Sequence, residues 1–145
     1  RRDPQRSIAL MPVTDTSVVL KWLFRESGSQ QALALLDRED RFFAPDHSEV
    51  ELLSGITKKV RAGLITREEA DQKREQCQRL PIQQIPLLRV RELAYELATE
   101  YLITFYDALF LATAIDLNEP LVTADEKLVA LLEASPLSST ISALD

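Results

Sequence analysis

The sequence predicts an α/β protein, with helices in two layers around a central parallel sheet of about five short strands. Three observations carry that prediction. Short apolar stretches alternate with helix-length stretches along most of the chain, as in repeated βα units. In addition, Phe105 to Leu117 is apolar nearly all round, which marks a buried helix rather than an amphipathic one. The Leu121-Val122-Thr123 stretch after it is short and apolar, as a strand covered on both faces is.

The elements follow in order. Pro12 to Asp15 reads as a first strand ending on an aspartate, and Thr16-Ser17 can cap a helix from Val18 to Phe24. Ser27-Gly28-Ser29 breaks it and opens another, with Ala32, Leu33, Leu35 and Leu36 as its apolar face. Phe42-Phe43-Ala44 is a second strand. Pro45 then opens a long helix through Ala62, with Asp46 and Glu49 spaced as a capping box and Gly63 as its left-handed stop. Thr66 and Glu69 repeat the box at the head of a polar helix to about Arg79. Leu80 to Leu87 holds a third strand, and Val90, Leu93, Ala94, Leu97, Ala98 and Tyr101 have helical period. Asn118-Glu119-Pro120 ends the buried helix. A helix from Glu126 to Ala134 and a fifth strand over Thr140 to Ala143 complete the chain. Residues 11–145 are read as a single domain, with Met11 as the natural start and Arg1 to Leu10 as an added or disordered extension.

The chain has 145 residues and a formal net charge of −6, with a pI near 4.9. That balance argues against broad nonspecific nucleic-acid binding, which uses basic surface. A nuclease stays open, because metal-binding carboxylates add to the negative charge. No apolar run is long enough to span a bilayer, and no signal-peptide pattern opens the sequence. Cys77 is the only cysteine, which excludes an internal disulfide framework and a zinc-thiolate cluster and fits a reducing cytoplasm. His47, the only histidine, has no GxSxG or other nucleophile signature near it. It reads as a loop or first-turn residue.

The candidate chemistry lies in the acids. Parallel βα units bring their strand C-termini to one edge, so Asp15 and Asp125 should meet there, joined by Asp107 if its helix starts at that edge. The helix after the second strand adds Glu49 or Glu51. About 200° of rotation separates these two, so only one can face the edge. Glu49 has a structural partner in Asp46, which leaves Glu51 for the site. Carboxylates gathered without a basic partner persist when a hard divalent cation neutralises them, and Mg²⁺ suits oxygen ligands and retained waters. Such a site performs phosphoryl-transfer hydrolysis. Each acid also has a capping reading, Asp107 with Thr104 and Asp125 with Thr123 and Glu126.

VTDTSVVLKWLFRE, PDHSEVELLSGITKKVRAG and FYDALFLATAIDLNEPLVTADEKL, with the spacing between them, resemble PIN-domain ribonucleases, and most of all the VapC-type toxins of VapBC toxin–antitoxin pairs. The resemblance runs over nearly the whole chain from Met11. It implies a PIN-like three-layer α/β/α fold and an endonuclease acting on RNA with Mg²⁺ or Mn²⁺. It places the family's acids on Asp15, Glu51, Asp107 and Asp125, and a hydroxyl beside the metal on Ser17. The asparagine that the family often has three residues after the glutamate is Ser54 here. An antitoxin partner is implied as well. The other readings are a non-catalytic PIN-like module binding RNA or protein, a housekeeping RNA-processing nuclease and a DNA nuclease.

An acidic chain needs local help to hold RNA. Lys21, Arg25, Lys58, Lys59 and Arg61 fall on the helices expected to flank the acidic edge and could meet phosphates. Trp22, Leu23 and Phe24 read as exposed apolar residues, which suggests a homodimer and a groove beside Trp22 for an antitoxin segment. The family resemblance points to both partners too.

Overall fold

The computed structural model describes residues 11–145; the expectation for Arg1 to Leu10 lies outside them. The described elements run β1 (Val13–Thr14), α1 (Thr16–Leu23), α2 (Ser29–Arg38), β2 (Phe42–Pro45), α3 (His47–Arg61), α4 (Arg67–Gln78) and β3 (Ile82–Ile85). They continue with α5 (Leu87–Tyr101), α6 (Phe105–Leu117), β4 (Leu121–Thr123), α7 (Glu126–Leu132) and β5 (Ile141–Ala143). A 3₁₀ turn over Pro136–Ser139, absent from the sequence reading, joins α7 to β5.

The five strands form one sheet in the order β3-β2-β1-β4-β5, and every neighbouring pair is parallel. The chain builds outward from β1 to β3, then returns to the other side of β1 with β4. The two sides therefore diverge at the β1–β4 boundary, where open α/β sheets form their functional crevice. Val13 pairs with Leu121 and Thr14 with Val122, so the residues after these two strands leave the sheet side by side.

Packing explains the short strands. Leu121 faces a core built with α5, α6 and α7, while its neighbour Val122 faces α1 and α2. Both faces are covered, as the apolar character of β4 required. In α6, Ala108 to Ala114 is buried without interruption, which makes it the inner helix of one layer. On the other layer α1 approaches α3 closely, and a Cβ added at Gly55 would lie 3.3 Å from Leu20 Cδ2. The helix α4 differs: Ala70 is its buried residue, and the rest is a solvated or partly covered face. Its Thr66–Glu69 capping box is formed in both directions. Gly63, at φ +73°, ends α3 as expected.

Several sequence expectations need correction. Thr16 and Ser17 do not cap α1; Asp15 does, accepting from Val18 N at 3.3 Å. The Asp46–Glu49 box is not formed. Asp46 Oδ1 accepts from Leu87 N at 3.1 Å and so ties α3 to the start of α5, while Glu49 accepts from Gln84 Nε2 of β3. The residues Trp22, Leu23 and Phe24 are not an exposed apolar patch. Leu23 is buried. Trp22 is half-buried, donates to the Ala32 carbonyl at 2.6 Å and packs 4.9 Å from the Phe42 ring. Phe24 lies beneath the ammonium groups of Lys59 and Lys73. The basic residues are also placed differently. Lys21 is held by Glu26 and the Ser27 carbonyl, and Lys58 to Arg61 sit in the last turn of α3, about 10–15 Å along the axis from Glu51.

Candidate active site

Four segments meet at the C-terminal ends of β1 and β4: the β1–α1 and β4–α7 junctions and the N-terminal turns of α3 and α6. Asp15 leaves β1 and is only 8% exposed. Its Oδ1 accepts from Ser17 Oγ at 2.5 Å and from Val18 N at 3.3 Å, and its Oδ2 accepts from Thr123 Oγ1. The carboxylate is therefore held by the first turn of its own helix and by the last residue of β4. Thr123 Oγ1 in turn accepts from Asp125 N at 3.0 Å, and Ser17 Oγ accepts from Ala124 N at 3.1 Å. Two hydroxyls thus bind the β1–α1 junction to the β4–α7 junction.

Asp125 caps α7, accepting from Leu128 N at 3.1 Å. This corrects the capping box expected of Thr123 and Glu126: Thr123 ends the strand, and the aspartate itself is the cap. Thr104 caps α6 by accepting from Asp107 N at 3.0 Å. That bond uses the Asp107 backbone N–H, and the Thr104 hydroxyl also lies beside the Asp107 carboxylate. Glu51, one turn into α3, accepts from Thr16 Oγ1 at 2.7 Å, so α3 presents this acid to the residue next to Asp15.

Electrostatics shows the same proximity. Burial raises the Asp15 carboxyl above its ordinary range; the bonds from Ser17, Thr123 and Val18 oppose the rise, and the Asp107 charge adds to it. Burial also raises Asp107, its hydrogen bond with Thr104 opposes this, and the charges of Asp125 and Glu51 push it further. Asp107 therefore lies within electrostatic reach of Asp15, Asp125 and Glu51, with no Lys or Arg among the causes of either shift. Among the described residues no three His, Cys, Asp or Glu side chains already converge into a metal cage.

The sequence reading did not anticipate Thr16 and Thr123 as the hydroxyls that hold these acids, nor the setting of His47. The imidazole is the first residue of α3 and 8% exposed. It packs 4.8 Å from the Phe110 ring and 6.0 Å from that of Tyr106. Nε2 lies 3.8 Å from Glu51 Oε1. The Tyr106 backbone is near the ring, yet neither ring nitrogen completes a hydrogen bond among the described residues. Burial lowers the imidazole pKa, against the opposing pull of Glu51, Asp46 and the Tyr106 backbone. The i,i+4 spacing of His47 and Glu51 was the available sequence signal.

A cleft of about 440 Å³ between α3, α4 and β3 is lined by Glu49, Leu52, Arg74 and Gln84 and contains none of the four acids. A smaller one of about 230 Å³ opens beside Trp22, with Leu36, Arg79 and Leu80.

An α/β fold of this strand order, with acids gathered at its β1–β4 crevice, defines a class of acidic-site domain. The PIN-domain sequence profile matches residues 13–132, and the chain belongs to the PIN-domain family. A comparison with curated protein sequences returns no match. Among solved structures, a toxin–antitoxin complex from Klebsiella pneumoniae contains a similar chain, with a TM-score of 0.67 and 18% identity over 90% of this chain and 95% of that one. PAE2754 from Pyrobaculum aerophilum is similar at a TM-score of 0.67 and 17% identity, over 95% and 92%. FitAcB from Neisseria gonorrhoeae is similar at 0.58 and 17%, over 93% and 97%. At these identities the likeness is one of fold. No described helix is long and apolar enough to cross a membrane.

Proposed function

We propose that the chain is a divalent-metal-dependent endoribonuclease of the cytoplasm, the toxin of a type II toxin–antitoxin pair. The observation that carries this reading is the arrangement of acids at the β1–β4 crevice: Asp15 is tied through Thr123 to the Asp125 junction, Glu51 is tied to the adjacent Thr16, and Asp107 lies within electrostatic reach of all three. Membership of the PIN family and the toxin–antitoxin setting of a fold neighbour support it.

The donors fit Mg²⁺ or Mn²⁺. They are hard carboxylate oxygens, and an ion that keeps several waters needs only one or two of them directly. Asp15, Glu51 and Asp107 would hold the ion, with Asp125 completing the acidic pocket. A bound divalent ion would polarise a phosphate oxygen and lower the pKa of attacking water. Asp15 is held by Ser17, Val18 and Thr123, so it needs no reorganisation to present an oxygen. Thr16 does the same for Glu51. Ser17 acts through Asp15, as a positioning residue. The acids line an edge rather than the larger cleft, which suits a polymer backbone better than a small molecule.

Total cellular RNA is the test substrate. Cleavage with Mg²⁺, lost with EDTA and in Asp15→Asn, is the expected result. Activity insensitive to both would remove the metal mechanism, and a folded chain inactive on every RNA would favour a binding module. The same reading includes a homodimer and an antitoxin segment seated in the cleft beside Trp22. Light scattering across a dilution series checks the first. Quenching or shift of Trp22 fluorescence on adding the product of a short neighbouring reading frame checks the second.

A further inference from the structure

We propose that His47 is a nitrogen ligand of the acidic site, and that the site therefore takes a transition ion such as Mn²⁺ in preference to Mg²⁺. The inference rests on the proposed metal site and extends it by one donor.

The argument starts from an unsatisfied group. Polar atoms taken out of water are almost always hydrogen-bonded, and each exception needs a reason. Both His47 nitrogens are such exceptions, in a residue more than nine-tenths buried. The ring packs in tilted contacts on Phe110 and Tyr106 of α6, the helix that also carries Asp107. This packing directs Nε2 toward Glu51 Oε1 at 3.8 Å, too long for a hydrogen bond and short enough for both atoms to face one ion. The Tyr106 backbone lies near the ring without completing a bond, on the side where metal-bound imidazoles take the second partner that fixes their orientation once an ion is held. Mg²⁺ selects oxygen, whereas imidazole suits transition ions. A buried nitrogen beside Glu51 thus discriminates between ions in a way that four carboxylates cannot.

Pulsed EPR on the tag-free protein loaded with Mn²⁺ gives a direct readout. The chain has one histidine, so nitrogen modulation from a coordinated imidazole identifies His47 without assignment. Calorimetric titration of His47→Gln should show Mn²⁺ affinity down by roughly 10-fold or more, with Mg²⁺ affinity within about 2-fold of the parent. Mn²⁺ that binds and is lost in Asp15→Asn, yet shows no nitrogen modulation, would overturn the His47 assignment and leave the metal site standing. Equal losses of both ions in His47→Gln would make the residue a support for Glu51, not a ligand. Failure of the parent chain to bind either ion would remove both readings.

Discussion

The β1–α1 and β4–α7 junctions are built alike and used differently. In each, a short buried strand ends near an aspartate that caps the next helix, Asp15 on Val18 N and Asp125 on Leu128 N. Asp15 is buried and accepts two further bonds, from Ser17 and Thr123. Asp125 is half-buried, and among the described residues its carboxylate makes only the cap bond. The difference follows from sheet position. β1 is the central strand, between β2 and β4, and the Thr16–Glu51 bond draws α3 against the residue after Asp15; β4 has only β5 beyond it. One local motif thus yields a fixed, desolvated carboxylate in the middle of the sheet and a more open one beside it.

Activity should separate the two acids most strongly. Asp15→Asn keeps a capping side chain but removes a charge, and loss of several kcal/mol of charge stabilisation corresponds to a fall of roughly 10²–10³ in single-turnover RNA cleavage. Asp125→Asn should cost about 10-fold, since it completes the pocket rather than anchoring it. Equal losses would mean that burial does not rank the acids.

Thr123→Val tests the bridge between the junctions. The swap keeps shape but removes the donor to Asp15 and the acceptor of Asp125 N. Unsatisfied buried groups then cost about 1–3 kcal/mol in urea unfolding. Asp15 should also rise further above its ordinary range, since this bond lowers it. A change below about 0.5 kcal/mol, within the usual spread of surface substitutions, would show that the bridge does not hold the site.

The pH dependence sharpens the contrast between a site with and without its ion. Asp15 and Asp107 are raised from 3.8 in the folded chain. Between that value and their folded values the native state binds more protons, so metal-free stability falls as pH rises through this window. In EDTA, melting temperature should therefore gain from these groups as pH drops from neutral toward the carboxylate range. Asp107→Asn should weaken the gain and should not destabilise the metal-free protein at pH 7. A drop in its melting temperature of more than roughly 4 °C would instead show that the side chain supports α6.

The smallest expected effect is that of Asp125→Ala, a lost helix cap of about 1 kcal/mol. Chemical denaturation measures it, and Asp125→Asn, which can still cap, is the control.

The alternation of apolar strands and helices, the all-round burial of α6 and the stop at Gly63 were legible because they depend on local periodicity and backbone freedom. So was the convergence of Asp15 and Asp125, which any parallel sheet with β1 beside β4 produces. Tertiary contacts decided the rest. Asp46 and Glu49 have capping-box spacing, but Leu87 N and Gln84 lie closer to them in the fold. Trp22 looked like an interface residue until its indole N–H found the Ala32 carbonyl in a neighbouring helix. His47 belongs with the acids only because α6 packs against α3, 63 residues away in sequence from Phe110 to His47. The chain's own order specifies which groups can be offered at a strand end or first turn. Partners distant in sequence compete for each of those groups, and only the packed fold determines which partner wins.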